Sequence, residues 1–173
     1  MKKIISVALS LVLLCSLLVS CNRSGDAPDG MKLASGEKAD YYLYIPEDWV
    51  IDLQTGATTA HVSSTDLSNV TASSWTLEYS DDTVDTWHER ELEGLNAGFD
   101  DYKEESVRES TLDGAYAKEY VFTAKLGGKD RKYRQIAAIK GTSVYAITYS
   151  TTPELYDEHN DEADDIFAQF RFR

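Results

Sequence analysis

Two of the three histidines in this chain stand three residues before an acid, His88 before Glu91 and His159 before Glu162. On a helix that spacing puts both side chains on one face, where they could share a metal ion or relay a proton. With 30 acids in 173 residues, such pairs arise readily by chance, so both histidines are read as solvated polar positions. The run Asp157, Glu158, Asp161, Glu162, Asp164, Asp165 is dense in the oxygen ligands that hard cations take. It lacks the glycine and the alternating spacing of an EF-hand loop, and on a helix its carboxylates spread around an exposed face. Asp81 and Asp82 are adjacent carboxylates, but directly before a helical stripe they read first as a cap. Gly-x-Ser-x-Gly, the Walker loop, His-Glu-x-x-His and Gly-x-Gly-x-x-Gly are all absent. No catalytic residue, metal site or cofactor is therefore assigned, and the chain is read as not an enzyme. Eleven tyrosines and three tryptophans could offer flat faces to a ligand. Most alternate along strands and read as core or sheet surface, with Tyr41, Tyr42 and Trp49 as the candidate exposed binding aromatics.

The remaining chemistry lies at the start of the chain. Lys2 and Lys3 precede an apolar run from Ile4 to Leu18 that is short for a membrane span and suited to a secretion signal. The run ends in Leu18, Val19, Ser20, Cys21, which resembles the lipobox of bacterial lipoprotein signals. That resemblance implies removal of residues 1–20 and acyl chains, palmitate among them, on Cys21. At about 0.8 kcal/mol per buried CH₂, two or three such chains anchor a protein that does not span the membrane. Cys15 would leave with the signal, so the mature chain would hold no disulfide and no thiol catalyst.

Charge removes other partners. The chain carries 17 basic and 30 acidic side chains, a net charge of −13, and loss of Lys2 and Lys3 makes it −15. Nucleic acid and anionic lipid surfaces repel such a domain, so the acyl anchor alone would hold it at a membrane. Composition, with 42% apolar and 27% charged residues, fits one globular domain.

Residues 21–38 are rich in Gly, Pro, Ser and charge without period, and read as a flexible acylated tether reaching on the order of 20 to 25 Å. The globular domain is placed at 39–173. A β-favouring run from Tyr41 to Ile45 stops at Pro46, and short β-prone runs follow at Thr58–Ser64 and Ser74–Tyr79 with a loop between them. Val84, Trp87, Leu92, Leu95 and Phe99 make one helical stripe that stops near Gly98, and a strand signal follows at Tyr102–Ser110. Ala115–Leu126, Asp130–Lys140 and Ser143–Ser150, separated by glycine turns, read as a three-stranded meander. Ile136 to Ile139 is a continuous apolar run, which marks a strand covered on both faces. Thr152 and Pro153 open a second helix carrying Tyr156, Ala163, Ile166 and Phe167, and Phe170 to Arg173 alternate as a short terminal strand.

This order resembles the PsbP-like family. The cues are Tyr44, Ile45, Pro46 and Trp49, then Leu112, Asp113, Gly114 and Ala115 opening the meander, Tyr120 within it, and Phe170 to Phe172 at the end. The resemblance implies an α+β fold, an α/β/α sandwich around a central, mostly antiparallel sheet. It is shared by extrinsic photosystem II subunits, a nuclear-import factor and bacterial lipoproteins, and no binding residue is carried across from them. The expected function is that of a membrane-anchored extracytoplasmic lipoprotein facing outward. It would be a non-catalytic binding or accessory module for a protein partner or envelope component. The alternative is a lipoprotein that binds a small ligand or a divalent cation.

Overall fold

The computed structural model describes residues 26–54 and 57–173; the signal segment and Cys21 lie outside them. In chain order the elements are β1 (Met31–Leu33), β2 (Tyr41–Tyr42), β3 (Tyr44–Pro46), β4 (Val50–Gln54), β5 (Ala57–His61), β6 (Asn69–Thr76), α1 (Val84–Gly98), β7 (Asp100–Leu112), β8 (Ala115–Leu126), β9 (Lys129–Lys140), β10 (Ser143–Thr151), α2 (Asn160–Gln169) and β11 (Arg171–Phe172). Seven of the strands form one antiparallel sheet in the order β4-β5-β6-β10-β9-β8-β7. Three two-residue turns at 113–114, 127–128 and 141–142 join β7 to β10. Such turns need positive φ to match the twist of the strands they join, and Gly127 and Gly128 supply it at 61° and 76°. The meander thus has four strands rather than three, since the segment before Asp113 belongs to it.

The sheet is the middle layer of an α/β/α sandwich. On one face Val84 and Trp87 of α1 pack with Tyr120, Phe122, Tyr133, Ala137 and Val144. On the other, Ile166 and Phe167 of α2 pack with Ile136, Ala138, Ile147 and Tyr149. The apolar run Ile136–Ile139 therefore divides between two cores, as its lack of alternation predicts. Arg134 fastens α2 to the sheet: its guanidinium lies 2.6 Å from Asp164 and 3.0 Å from the 3%-exposed Glu119, which Arg108 also meets at 2.6 Å. A carboxylate so buried is tolerable only with both cations in place.

Several expectations are corrected. Residues 31–35, placed in the tether, belong to the fold: β1 pairs with β3, Ala34 donates to the Leu43 carbonyl, and Ser35 accepts from the Leu43 N–H. Lys32 locks the segment down through the carbonyls of Glu47 and Trp49, both at 2.6 Å. The Tyr41–Ile45 run is not a strand of the main sheet. It splits at Leu43 into β2, which pairs with β11, and β3, and it lies over the α2 face. Val50–Gln54, to which no element is assigned from the sequence, is an edge strand. α1 is capped by Thr83, whose hydroxyl accepts from the Thr86 N–H while the Thr86 hydroxyl accepts from the Thr83 N–H. Asp82 instead pairs with Arg90. The second helix begins at Asn160, not Pro153, which opens only a single turn of 3₁₀ helix. The Tyr149 hydroxyl donates to the Tyr156 carbonyl at 3.1 Å and the Leu155 carbonyl accepts from the Glu158 N–H at 3.1 Å, so neither serves a continuous helix.

The aromatic assignments also change. Trp49 is 1% exposed and Tyr41 is 3% exposed. Tyr41 stacks on Phe170 at 5.6 Å and donates its hydroxyl to the Ala72 carbonyl at 2.7 Å. Trp49→Ala is therefore expected to destabilise the protein by about 3–5 kcal/mol, the cost of emptying a core aromatic site. Urea denaturation measures this, and a change within about 0.5 kcal/mol would return the ring to the surface.

Candidate functional site

The face of the sheet under α1 is not uniform. Cross-strand registers arrange its side chains in rows, one running His61, Asn69, Ser150, Tyr133, Phe122 from β5 to β8 and the next Thr59, Thr71, Thr148, Gln135, Tyr120. Both rows end in aromatic rings toward α1, Tyr133 and Phe122 in one and Tyr120 in the other, and carry polar side chains on β5, β6 and β10, with Gln135 extending the second row onto β9. Threonine suits those strands because its branched carbon fits the pleat while its hydroxyl can pair with a polar neighbour across the ladder. At the boundary is a groove of about 450 Å³. Leu95, Phe99 and Leu126 form its apolar wall, and the two rows form its floor.

The floor is internally tied. Thr59 and Thr71 share a hydrogen bond of 2.9 Å, Gln135 donates to Thr148 at 3.0 Å, and Arg131 donates to Ser150 at 3.0 Å. Phe99 lies 5.4 Å from the Tyr133 ring, which stacks on Phe122 at 4.7 Å and stiffens the wall. The Tyr133 hydroxyl and His61 Nδ1 are buried polar atoms with no hydrogen bond. Burial pushes the Tyr133 phenol above its ordinary range, and the neighbouring Arg131 and Ser150 offset this only in part. None of the groove-lining residues is acidic. His61 Nε2 is 4.0 Å from Asp52, and Ser150 is engaged by Arg131, so among the described residues lining the groove no nucleophile is hydrogen-bonded to a base. A second concavity beside Asp40 is of similar size, about 490 Å³. Its carboxylate is already taken by the Ser74 hydroxyl at 2.5 Å and the Tyr145 hydroxyl at 3.0 Å.

The residues singled out in the sequence lie elsewhere. Tyr41 and Trp49 are core, and half-buried Tyr42 stacks on Tyr44 and carries the Arg173 guanidinium 4.3 Å above its ring. Cys21 lies outside the described residues. His88 is buried, stacks on Tyr120 at 3.6 Å and meets Glu104 at 3.3 Å rather than Glu91. The pair His159–Glu162 forms at 2.5 Å, and Asp66, 93 residues away, takes the other ring nitrogen at 3.0 Å. His159 is thus a partly buried ring bridging two carboxylates, not a solvated position. The acidic run spreads outward, with Glu162 spent on His159 and Asp164 on Arg134. Among the described residues no three side chains converge to hold a metal ion. The groove residues escaped notice, though Thr148 and Ser150 alternating with Ile147 and Tyr149 mark a buried strand with one polar face.

No family model matches the sequence, and no curated protein sequence matches it. Solved structures do match in shape. The cyanobacterial PsbP of Synechocystis superposes with a TM-score of 0.63 at 14% identity, over 86% of this chain and 96% of that one. The fold is PsbP-like. A Pseudomonas aeruginosa protein of unknown function shares it with a TM-score of 0.57 and 19% identity, over 78% of this chain and 92% of that one. So does LpqN of Mycobacterium tuberculosis, a protein involved in cell envelope biogenesis. Its TM-score is 0.52 at 15% identity, over 76% of this chain and 82% of that one. At these identities the likeness concerns the PsbP-like fold alone.

The His159 bridge has a measurable consequence. Burial favours the neutral ring, but hydrogen bonds to Glu162 and Asp66 outweigh it and hold the His159 pKa above 6.5. Stability from a raised pKa is fully present below pH 6.5 and is lost as pH rises through the folded-state value. The melting temperature should fall between pH 6 and pH 9, and His159→Gln should flatten that slope. An unchanged slope in the variant would show that the bridge does not form.

Proposed function

We propose that this protein is a lipid-anchored, extracytoplasmic and non-catalytic accessory module that holds an envelope component in the groove beside α1. The observation that carries the reading is the groove itself, a concave site with a hydrogen-bonding floor, an apolar wall and no nucleophile–base pair. The anchor is supported by Leu18, Val19, Ser20 and Cys21 after an apolar run. β1 and β3 lie on the α2 face, and the groove opens on the other. A tether rising from Cys21 would therefore meet the domain on the face remote from the groove and leave the groove free. The fold it shares with LpqN, which is involved in cell envelope biogenesis, is consistent with such a role. The cation-carrying alternative has less support, because the acids of 157–165 are partnered or turned apart.

Two measurements test this reading. Metabolic labelling with palmitate should mark the wild-type protein and not Cys21→Ser, and equal labelling would remove the anchor. A photo-crosslinker at Leu126, which is 56% exposed on the groove wall, should capture an envelope component in native membranes. One at the exposed Asp165 on α2 should not. Equal or absent capture from both positions would remove the groove as the binding site.

A further inference from the structure

We propose that the groove beside α1 recognises a saccharide bearing one carboxylate, with the acid on Arg131 and the ring over the threonine rows. The inference rests on the reading of this groove as the binding site. Charge is the first argument. In a chain with 30 acids and a net charge of −13, a groove lined by no acid is complementary to an anion. Arg131 is half-buried in it and, among the described residues, donates to the neutral Ser150 hydroxyl and to no carboxylate. In the same corner the Tyr133 hydroxyl, on a side chain only 6% exposed, has no acceptor. A guanidinium and a phenol side by side are two donors for one carboxylate, the pairing in which hydrogen bonds are strongest.

The rest of the groove asks for a polyol. Thr71, Thr148 and Gln135, each partly exposed, present donors and acceptors on three adjacent strands about 4.8 Å apart. That spacing matches hydroxyls around a pyranose better than the single polar end of a fatty acid. Phe99 and Leu126 on the wall give the C–H face of a sugar an apolar surface, and the volume of about 450 Å³ lies in the range of small-molecule sites. The acidic exterior disfavours polyanions, so a single carboxylate is the charge the groove suits.

Saturation-transfer difference NMR on the full-length protein in detergent micelles tests this with N-acetylmuramic acid and N-acetylglucosamine, which differ by a lactyl carboxylate. The acidic sugar is expected to bind about tenfold more tightly. Arg131→Gln should erase that preference, and Arg131→Lys, which keeps the charge without the fork, should retain part of it. Thr71→Val should weaken both sugars. Equal binding of the two sugars by the wild type, or a preference that survives Arg131→Gln, would overturn the proposal. If Leu126 captures an envelope component while neither sugar binds, the ligand class is wrong and the binding-site reading stands. If Leu126 captures nothing and neither sugar binds, both fall.

Discussion

One helix cannot cover seven strands. Strands about 4.8 Å apart make a sheet roughly 29 Å across between its outer strands, whereas a helix with its side chains is about 10 Å wide. α1 therefore shields the aromatic ground of β8 and β9, and the other half of that face must satisfy water. Thr71, Thr148 and Ser150, each partly exposed, do so without leaving the β conformation. The groove lies where the covered and uncovered halves meet, so its mixed chemistry follows from the coverage limit.

The opposite face meets the same limit in another way. α2, at ten residues, is shorter still, and the chain adds β1, β2, β3 and the terminal β11 over the sheet beside it. Tyr41, Leu43, Ile45, Trp49, Phe170 and Phe172 complete that core. This is why the N-terminal aromatics are buried and why residues 31–35 cannot be tether. Lys32, bonded to two backbone carbonyls, satisfies acceptors that the short ladder of β1 and β3 leaves open. The Glu119–Arg134–Asp164 network then sets where α2 sits. Its value lies in position more than in net energy, since buried charges roughly repay their desolvation.

What the sequence shows and hides follows from range. The hairpins of β8, β9 and β10, the span of α1 to Gly98 and the strand at Phe172 rest on local signals: positive-φ turn residues, a 3.6-residue stripe, a two-residue alternation. All were legible. Tyr41 and Trp49 were misread because an aromatic residue in a short β-prone run does not say which face will be covered, and the cover arrives from Phe170, more than a hundred residues on. The edge strand Val50–Gln54 is too short to show a period. His159 was misread because its second partner, Asp66, is distant in sequence, and a local pair offset says nothing about it. The groove was hidden for a subtler reason. Its threonines and serines look like the ordinary solvent face of strands, and only the registers of β5, β6, β10 and β9 align them into rows beside an aromatic wall.

If the groove binds as proposed, the electrostatics of the domain would give it a selectivity its lining alone would not have. At physiological salt the screening length is about 8 Å, so the acidic exterior acts on an approaching anion only near the surface. Each charge brought near meets that repulsion. A ligand with many phosphates meets it many times over and finds only one guanidinium, Arg131, in the groove. A ligand with a single charge meets it once. Inside the groove solvent is partly displaced and the Arg131 charge is less screened, so the local attraction can exceed the general repulsion. On the proposed reading, an acidic surface around a recessed cation would act as a filter on the number of charges, favouring a monoanion or a neutral polyol over a polyanion.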